Sequence, residues 1–498
     1  MPTLPHDIWL HIAQFLPVLV LRDLISLNST FFEIAMDCRY RQMSFAYLDK
    51  RMLRALTRLK DPAVAKRVRI LHVYPGFLKD ALERDKTEPV LRRSLKYRLA
   101  DLGNHLLEQR LFPKHAKSRL MHTLKRTEDV VQIMLEVLSG LPNVTDYYVT
   151  WCGLPSISAT AVPFLSTVFQ SKLRKLSLEL SLENVRNLLT PSFQVQNLEE
   201  LQLTIHSENI ESTWERNCIM TKYLAPAISR LNATLHTLTI QSWEAADLSP
   251  MFRSITHLPA LEQLVVAIPV EPNHLGDPQG LSEFLIAHRT SLRTLRLRAT
   301  QYGGAGMTPD LASFDNWIRD AIHNVSLPKL RTLDISSNLF PVATSVACLA
   351  HFSSTVTSLS LTGSYRTYED IEKAVNIVSG PIRDEPLVKL RVGLVSLSPQ
   401  LIDMISMKLP RLDSLELVVR YILPHAGDRP AFHPDAPNEG QLTSQIDDFL
   451  SKMRERNYAH WQLRHMSVLA DSLPFRPQYE AIMEQTFLQC IPSMRTFR

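Results

Sequence analysis

One spacing recurs through most of this chain: an apolar residue, two residues of any kind, a second apolar residue, one residue of any kind, then a third. It occupies residues 173–178, 198–203, 235–240, 261–266, 292–297, 330–335, 356–361, 387–392, 412–417 and 463–468. The starts are separated by 25, 37, 26, 31, 38, 26, 31, 25 and 51 residues. Most of these intervals match the roughly 20–45 residues of a stacked repeat. The last is long enough to hold an insertion, placed near 423–441. The final apolar pair, with one residue between them, sets a short strand that turns both side chains to one side and the intervening residue to the other. Between the strands, 281–288, 346–352 and 368–378 carry helical spacing. The pattern therefore predicts an α/β repeat solenoid, with parallel strands on one face and helices on the other.

The earlier part of the chain is less regular. Residues 68–73 read as a strand preceded by a helix over 51–59. Residues 77–138 read as helices that interrupt the array, and 144–149 as its next strand. Residues 494–497 read as a truncated last strand. A doubly wound enzyme would show a glycine-rich turn after its first strand, and none is present.

Composition excludes several classes. Of 498 residues, 45% are apolar and 21% charged, as in ordinary folded protein. The cysteines (Cys38, Cys152, Cys218, Cys348 and Cys490) are odd in number and far apart, which argues against a disulfide framework or a structural zinc site. No stretch carries the ~18 or more consecutive apolar residues of a membrane helix. No secretory leader is evident, so a cytoplasmic or nuclear location is expected.

Motifs for phosphate cradles, zinc proteases, serine nucleophiles and calcium loops are absent. Gly303-Gly304-Ala305-Gly306 is not framed by a strand and a helix. His425 with His433, and His460 with His465, lack metal-ligand spacing and convergent partners. No cofactor, no metal and no catalytic residue is expected.

The first 45 residues form a separate case. Leu4-Pro5 opens a helix over 7–16, with Ile8, Ile12 and Phe15 at i, i+4, i+7 and Leu16 widening the stripe. Pro17 ends it. A second helix carries Leu21, Leu24, Ile25 and Leu27. A third opens at Thr30-Phe31-Phe32-Glu33, a capping-box spacing, and has Phe31, Ile34 and Ala35 on one face. Three short helices make a weak core, and segments of this size usually need a metal, a disulfide or a partner. Their apolar supply exceeds what they can hide among themselves. A partner surface is expected over part of Leu4, Ile8, Ile12, Leu16, Leu21 and Leu24.

The run Leu4-Pro5-His6-Asp7-Ile8, Ile12, Phe15-Leu16-Pro17, Leu21-Arg22-Asp23-Leu24, Leu27-Asn28 and Phe31 resembles the F-box motif. Phe31-Phe32 stands where that family often carries a tryptophan. The resemblance implies docking on the small adaptor of Skp–cullin–F-box ubiquitin ligases through Leu4, Pro5, Ile8, Leu16, Pro17, Leu21, Leu24 and Phe31. A cap that only seals the first repeat is the alternative reading of the same helices. The body of the chain resembles the irregular leucine-rich repeats common in F-box proteins. Only 330–338 has the closing asparagine, Asn338; elsewhere Trp243, Pro269, Thr300 or Arg420 stands there. A distorted arc is therefore expected.

The expected organisation is an F-box over 1–45, a first repeat with a helical basic insertion over 46–140, and the irregular array over 141–498. The implied function is non-catalytic: the helices hold a Skp-type adaptor and, through it, a cullin scaffold, while the arc holds an unidentified target protein. A repeat scaffold acting outside a ligase is the alternative. Outward strand positions include Lys175, Glu179, Glu200, Asp334, Lys389 and Glu416. Arginine and aromatic residues dominate protein interfaces, so Arg296, Arg298, Arg391, Trp243 and Tyr302 are the candidate target contacts. Residues 92–126 hold ten Lys/Arg against Asp101 and Glu108. Leu95, Leu99, Leu102 and Leu106 interleave with them as in an amphipathic helix, so nucleic-acid binding is not the favoured reading.

Overall fold

Every leucine motif builds the same local object. Its first apolar residue precedes the strand by two positions and is sealed: Leu173, Leu198, Leu235, Leu261, Leu292, Leu330, Val356, Leu387, Leu412 and Leu463 are at most 2% exposed. In most motifs the strand then alternates outward and buried residues, as in Thr294–Thr300, where Leu295 and Leu297 point inward and Arg296 and Arg298 outward; Gln263–Pro269 and His465–Ala470 depart from this. Backbone hydrogen bonds stack one motif on the next. The N–H groups of Arg293 and Thr294 both donate to the Glu262 carbonyl, at 2.8 and 3.0 Å, and those of Arg331 and Thr332 to Arg293 at the same distances. One carbonyl accepting two successive amides holds each turn on its neighbour and satisfies groups that burial would otherwise strand.

These relations come from a computed structural model that describes residues 5–24, 29–47, 49–74, 127–151, 172–189, 195, 197–206, 210, 212–242, 247–270, 275–300, 310–336, 339–380, 385–428, 432–433, 436–437, 439–471 and 477–498. The chain divides into two compact units, 1–235 and 236–498.

The first unit opens with α1 (His6–Gln14), α2 (Val18–Asp23) and α3 (Ser29–Tyr40). Parallel strands follow in chain order: β1 (Gln42–Phe45), β2 (Ile70–Val73), β3 (Asp146–Trp151), β4 (Lys175–Ser181) and β5 (Glu200–His206). The expected strands at 68–73 and 144–149 are β2 and β3, each beginning two residues later. β1 was not anticipated. Tyr40, Met43 and Phe45 repeat the spacing with two aromatic residues and a methionine in place of leucine, and Phe45 is fully buried. The Arg41 carbonyl accepts from Arg69 and Ile70, both at 2.9 Å. The array therefore starts inside the span assigned to the F-box. Helices Lys50–Leu59 and Thr127–Ser139 lie between these strands, and Asp49 caps the first by accepting from the Arg51 and Met52 amides. The basic stretch at 92–126 lies outside the described residues.

In the second unit the parallel strands are β6 (Thr237–Ser242), β7 (Gln263–Pro269), β8 (Thr294–Thr300), β9 (Thr332–Ile335), β10 (Ser358–Leu361), β11 (Lys389–Leu397) and β12 (Ser414–Ile422). Within the insertion near 423–441, β13 (Phe432–His433) pairs antiparallel with β14 (Ala436–Pro437). The sheet resumes with β15 (His465–Ala470), which pairs β12, and ends with β16 (Thr496–Phe497). Helices Pro278–Ala287, Leu311–Ile322, Val342–Phe352, Tyr368–Val378 and Pro399–Lys408 return the chain from one strand to the next. Gly280 has a packing reason: a Cβ there would lie 2.7 Å from the Ser249 backbone of the preceding helix. β11 carries a bulge at Leu394, which has φ 54° and whose carbonyl accepts from the Arg366 amide at 3.0 Å.

Candidate functional site

Helix α1 has two apolar stripes. Trp9, Ala13 and Leu16 face a core shared with Leu21, Leu24, Phe31 and Ile34. The Trp9 and Phe31 rings meet edge to face, with centroids 5.0 Å apart. Ile8, Ile12 and Phe15, displaced by one residue, face outward and are 44%, 37% and 75% exposed. Each stripe follows the i, i+4, i+7 progression of one helix face, and a shift of one residue turns the face by about 100°, so the helix is apolar on two adjoining faces and its neighbours cover one of them.

The helices are fastened to the first repeat through α3. The Arg67 guanidinium, 9% exposed, pairs with both Glu33 and Asp37 and donates to the Glu33 carbonyl at 3.2 Å. Burial opposes its charge, but the bonds to Glu33 and Asp37 outweigh this and hold its pKa above the ordinary value. Arg58 donates to the Tyr40 hydroxyl at 2.8 Å. Beside this anchor lies a polar cleft of about 610 Å³, lined by Asp37, Arg41, Lys66, Arg69, Asn143 and Asp146.

The residues drawn from the F-box resemblance divide into several groups. Pro5 and Pro17 are exposed at the starts of α1 and α2, and Ile8 lies on the open stripe. Leu16 and Leu24 are half-buried against the core. Leu21 and Phe31, each 4% exposed, are core residues. The short helices use these two side chains in holding themselves together. Leu4, Leu27 and Asn28 lie outside the described residues. The strongest outward candidate is Phe15, whose signal was its place on the Ile8–Ile12 stripe.

The outward face of the strands is the second surface. In the first unit the His72 ring stacks on Tyr148 at 4.4 Å, and Gln42 reaches His72 at 3.1 Å. Lys175 lies 5.6 Å over the Tyr148 ring and pairs with Glu200 at 2.7 Å. Burial among these groups lowers the His72 pKa. Glu179 accepts from Thr150 and meets His206, both at 3.1 Å. In the second unit, Arg296 and Arg298 on β8 both approach one Asp334 oxygen at 3.9 Å, and Arg391 on β11 pairs with Glu416 at 3.0 Å. Trp243 and Tyr302 lie outside the described residues.

Among the described residues no group of three or more His, Cys, Asp or Glu is placed to hold a metal ion, and no helix is long and apolar enough to cross a membrane. Cys38 is exposed, Cys218 half-buried, and Cys348 and Cys490 buried, all as free thiols.

No family model matches this chain, and no curated protein matches it. Among solved structures, it is similar to a chain from the crystal structure of the Rad7 and Elc1 complex in yeast. The identity is 14% and the TM-score 0.31, over 60% of this chain and 77% of that one.

Proposed function

We propose that this chain is a non-catalytic substrate receptor of a Skp–cullin–F-box-type ubiquitin ligase, working in the cytoplasm or nucleus. The observation that carries the reading is the open stripe Ile8, Ile12 and Phe15, set beside a core that the helices already fill for themselves. Exposed apolar side chains in register on one helix favour a protein partner, and the F-box resemblance of the same segment names an adaptor as that partner. A cap on the first repeat accounts for the Arg67 anchor but leaves the outer stripe without a role. The repeat array then holds a target, and the scaffold raises the concentration of target lysines near a ubiquitin-loaded enzyme. The chain itself forms no covalent intermediate in this scheme.

The test is copurification of the full chain with a Skp-type adaptor and a cullin, repeated with residues 1–24 deleted. The proposal requires both partners to appear with the full chain and to vanish on deletion. A chain that binds neither would be a repeat scaffold acting outside a ligase.

A further inference from the structure

We infer that the outward face of β8–β11 recognises an acidic segment of the target protein; this rests on the receptor reading above and specifies its substrate. The face is built in three parts. Arg296 and Arg298 stand two positions apart on β8 and share a single carboxylate, Asp334 on β9. At 3.9 Å each, these contacts are ion pairs without close hydrogen bonds. The Arg296 Nε has no hydrogen-bond partner, although it is shielded from solvent. Among the described residues no other carboxylate pairs with either guanidinium, and the two side chains are 39% and 45% exposed.

The middle of the face is a floor of hydroxyls. Ser336 donates to Asp334, Thr362 donates to Ser336 at 2.6 Å, and Ser360 lies 3.3 Å from Ser336. Ser336 thus occupies the second oxygen of Asp334 and fixes the carboxylate beneath both arginines. The far wall is Lys389 and Arg391, both exposed on β11. Lys389 has no carboxylate within ion-pair distance among the described residues, and Arg391 meets Glu416 of the next strand.

Four cations therefore stand between β8 and β11 over a floor of hydroxyls whose donors hold Asp334 and one another, and Glu416 engages only one of the four among the described residues. Strands are spaced ~4.8 Å apart, so the two basic walls are roughly 14 Å apart. An extended peptide advancing ~3.3 Å per residue spans that distance in about four residues. Arginines two positions apart on a rigid strand suit carboxylate or phosphate groups, which they can grip with paired donors. No aromatic residue lies within the described strands β8–β11 themselves; Tyr365 meets Ser396 and Tyr421 only at the far ends of β11 and β12, so no stacking platform for single-stranded nucleic acid runs between the basic walls.

The probe is a set of degenerate fluorescent peptide libraries differing only at a fixed centre: phosphoserine-Glu, Glu-Glu or Gln-Gln. Anisotropy is measured on the full chain at low and moderate salt, beside an oligothymidylate of equal charge. The expected result is binding of the acidic libraries at least tenfold tighter than Gln-Gln, weakened by salt. The phosphoserine and Glu arms decide which acidic group is preferred. Arg298→Glu with Arg391→Glu, both exposed, is expected to lose tenfold or more. Asp334→Asn is expected to tighten binding several-fold by releasing both arginines, an effect that structural damage would not produce. Equal binding of Gln-Gln, indifference to the double charge reversal, weaker binding by Asp334→Asn, or tighter binding of the oligonucleotide would each overturn the inference. Adaptor copurification of the charge-reversed chain reads the receptor proposal separately, because these residues lie far along the sequence from α1.

Discussion

Replacing Phe15 by aspartate separates adaptor docking from folding, because the side chain lies outside the core it sits beside. Phe15 is 75% exposed. Complete burial of a phenylalanine contributes about 1.5–3 kcal/mol, so covering the exposed three quarters contributes about 1–2 kcal/mol. Phe15→Ala should then weaken adaptor binding by about tenfold. Phe15→Asp adds a carboxylate to a desolvated contact, at a further cost of several kcal/mol, and should weaken binding by more than about a hundredfold. Neither change should move the folding stability of α1–α3 by more than ~0.5 kcal/mol, the usual range for exposed sites. Phe31→Ala is the counterpart. Phe31 is 4% exposed and packed edge to face on Trp9, and losing such a ring costs about 3–5 kcal/mol. It should loosen all three helices and abolish docking indirectly. Calorimetry against purified adaptor gives the affinities, and amide hydrogen exchange over 5–40 gives the local stability. If Phe15→Asp binds within twofold of the unaltered chain, or loosens the helices as much as Phe31→Ala does, the assignment of the outer stripe is wrong.

Other expectations concern the anchor and the core. Arg67→Ala should speed amide exchange through Ser29–Tyr40 while β4 and β5 stay protected; unchanged exchange in α3 would mean the ion pairs with Glu33 and Asp37 hold nothing in place. The buried His288 ring donates its Nδ1–H to the Phe284 carbonyl at 2.7 Å and accepts at Nε2 from the Leu258 amide at 2.9 Å, so it is neutral. Burial pulls its pKa below the ordinary 6.5, aided by the neighbouring His257 and opposed by the Phe284 bond. The neutral ring therefore stabilises the fold above about pH 6.5, and that stability is lost as pH falls below this value. His288→Gln should flatten the decline of Tm between pH 7.5 and 5.5, and an equally steep decline would exclude this residue as its source. Burial pushes the Cys348 thiol up to about 12, so iodoacetamide should modify exposed Cys38 in the native protein and spare Cys348 until unfolding; mass spectrometry of the labelled peptides reads the difference.

The repeat strands were legible because period-two burial leaves a direct mark on sequence. Leu292, Leu295 and Leu297 could be assigned to the core from spacing alone, and all three are at most 1% exposed. β1 escaped notice because its motif is spelled Tyr40, Met43 and Phe45, and a search for aliphatic residues passes over it. The open stripe on α1 is visible in the sequence as Ile8, Ile12 and Phe15, but spacing alone does not show that the competing stripe through Trp9 is the one that is covered. Leu21 and Phe31 were placed on the docking face because family motifs do not separate residues that touch a partner from residues that hold the motif together. The paired arginines were singled out as residue types, while Asp334 appeared only as another outward charge.

Sequence by itself determined the alternation of strand and helix, the identity of the buried leucines, and the surplus of apolar side chains in the first helices. These follow from local periodicity, which needs no knowledge of distant neighbours. Tertiary structure alone decided which side of α1 is hidden, because both sides are apolar and only the position of α2 and α3 selects between them. It also decided that Arg296 and Arg298 meet Asp334, 38 and 36 residues further on. That meeting depends on strand register, which is settled when β9 docks on β8 and each side chain acquires its neighbour across the sheet.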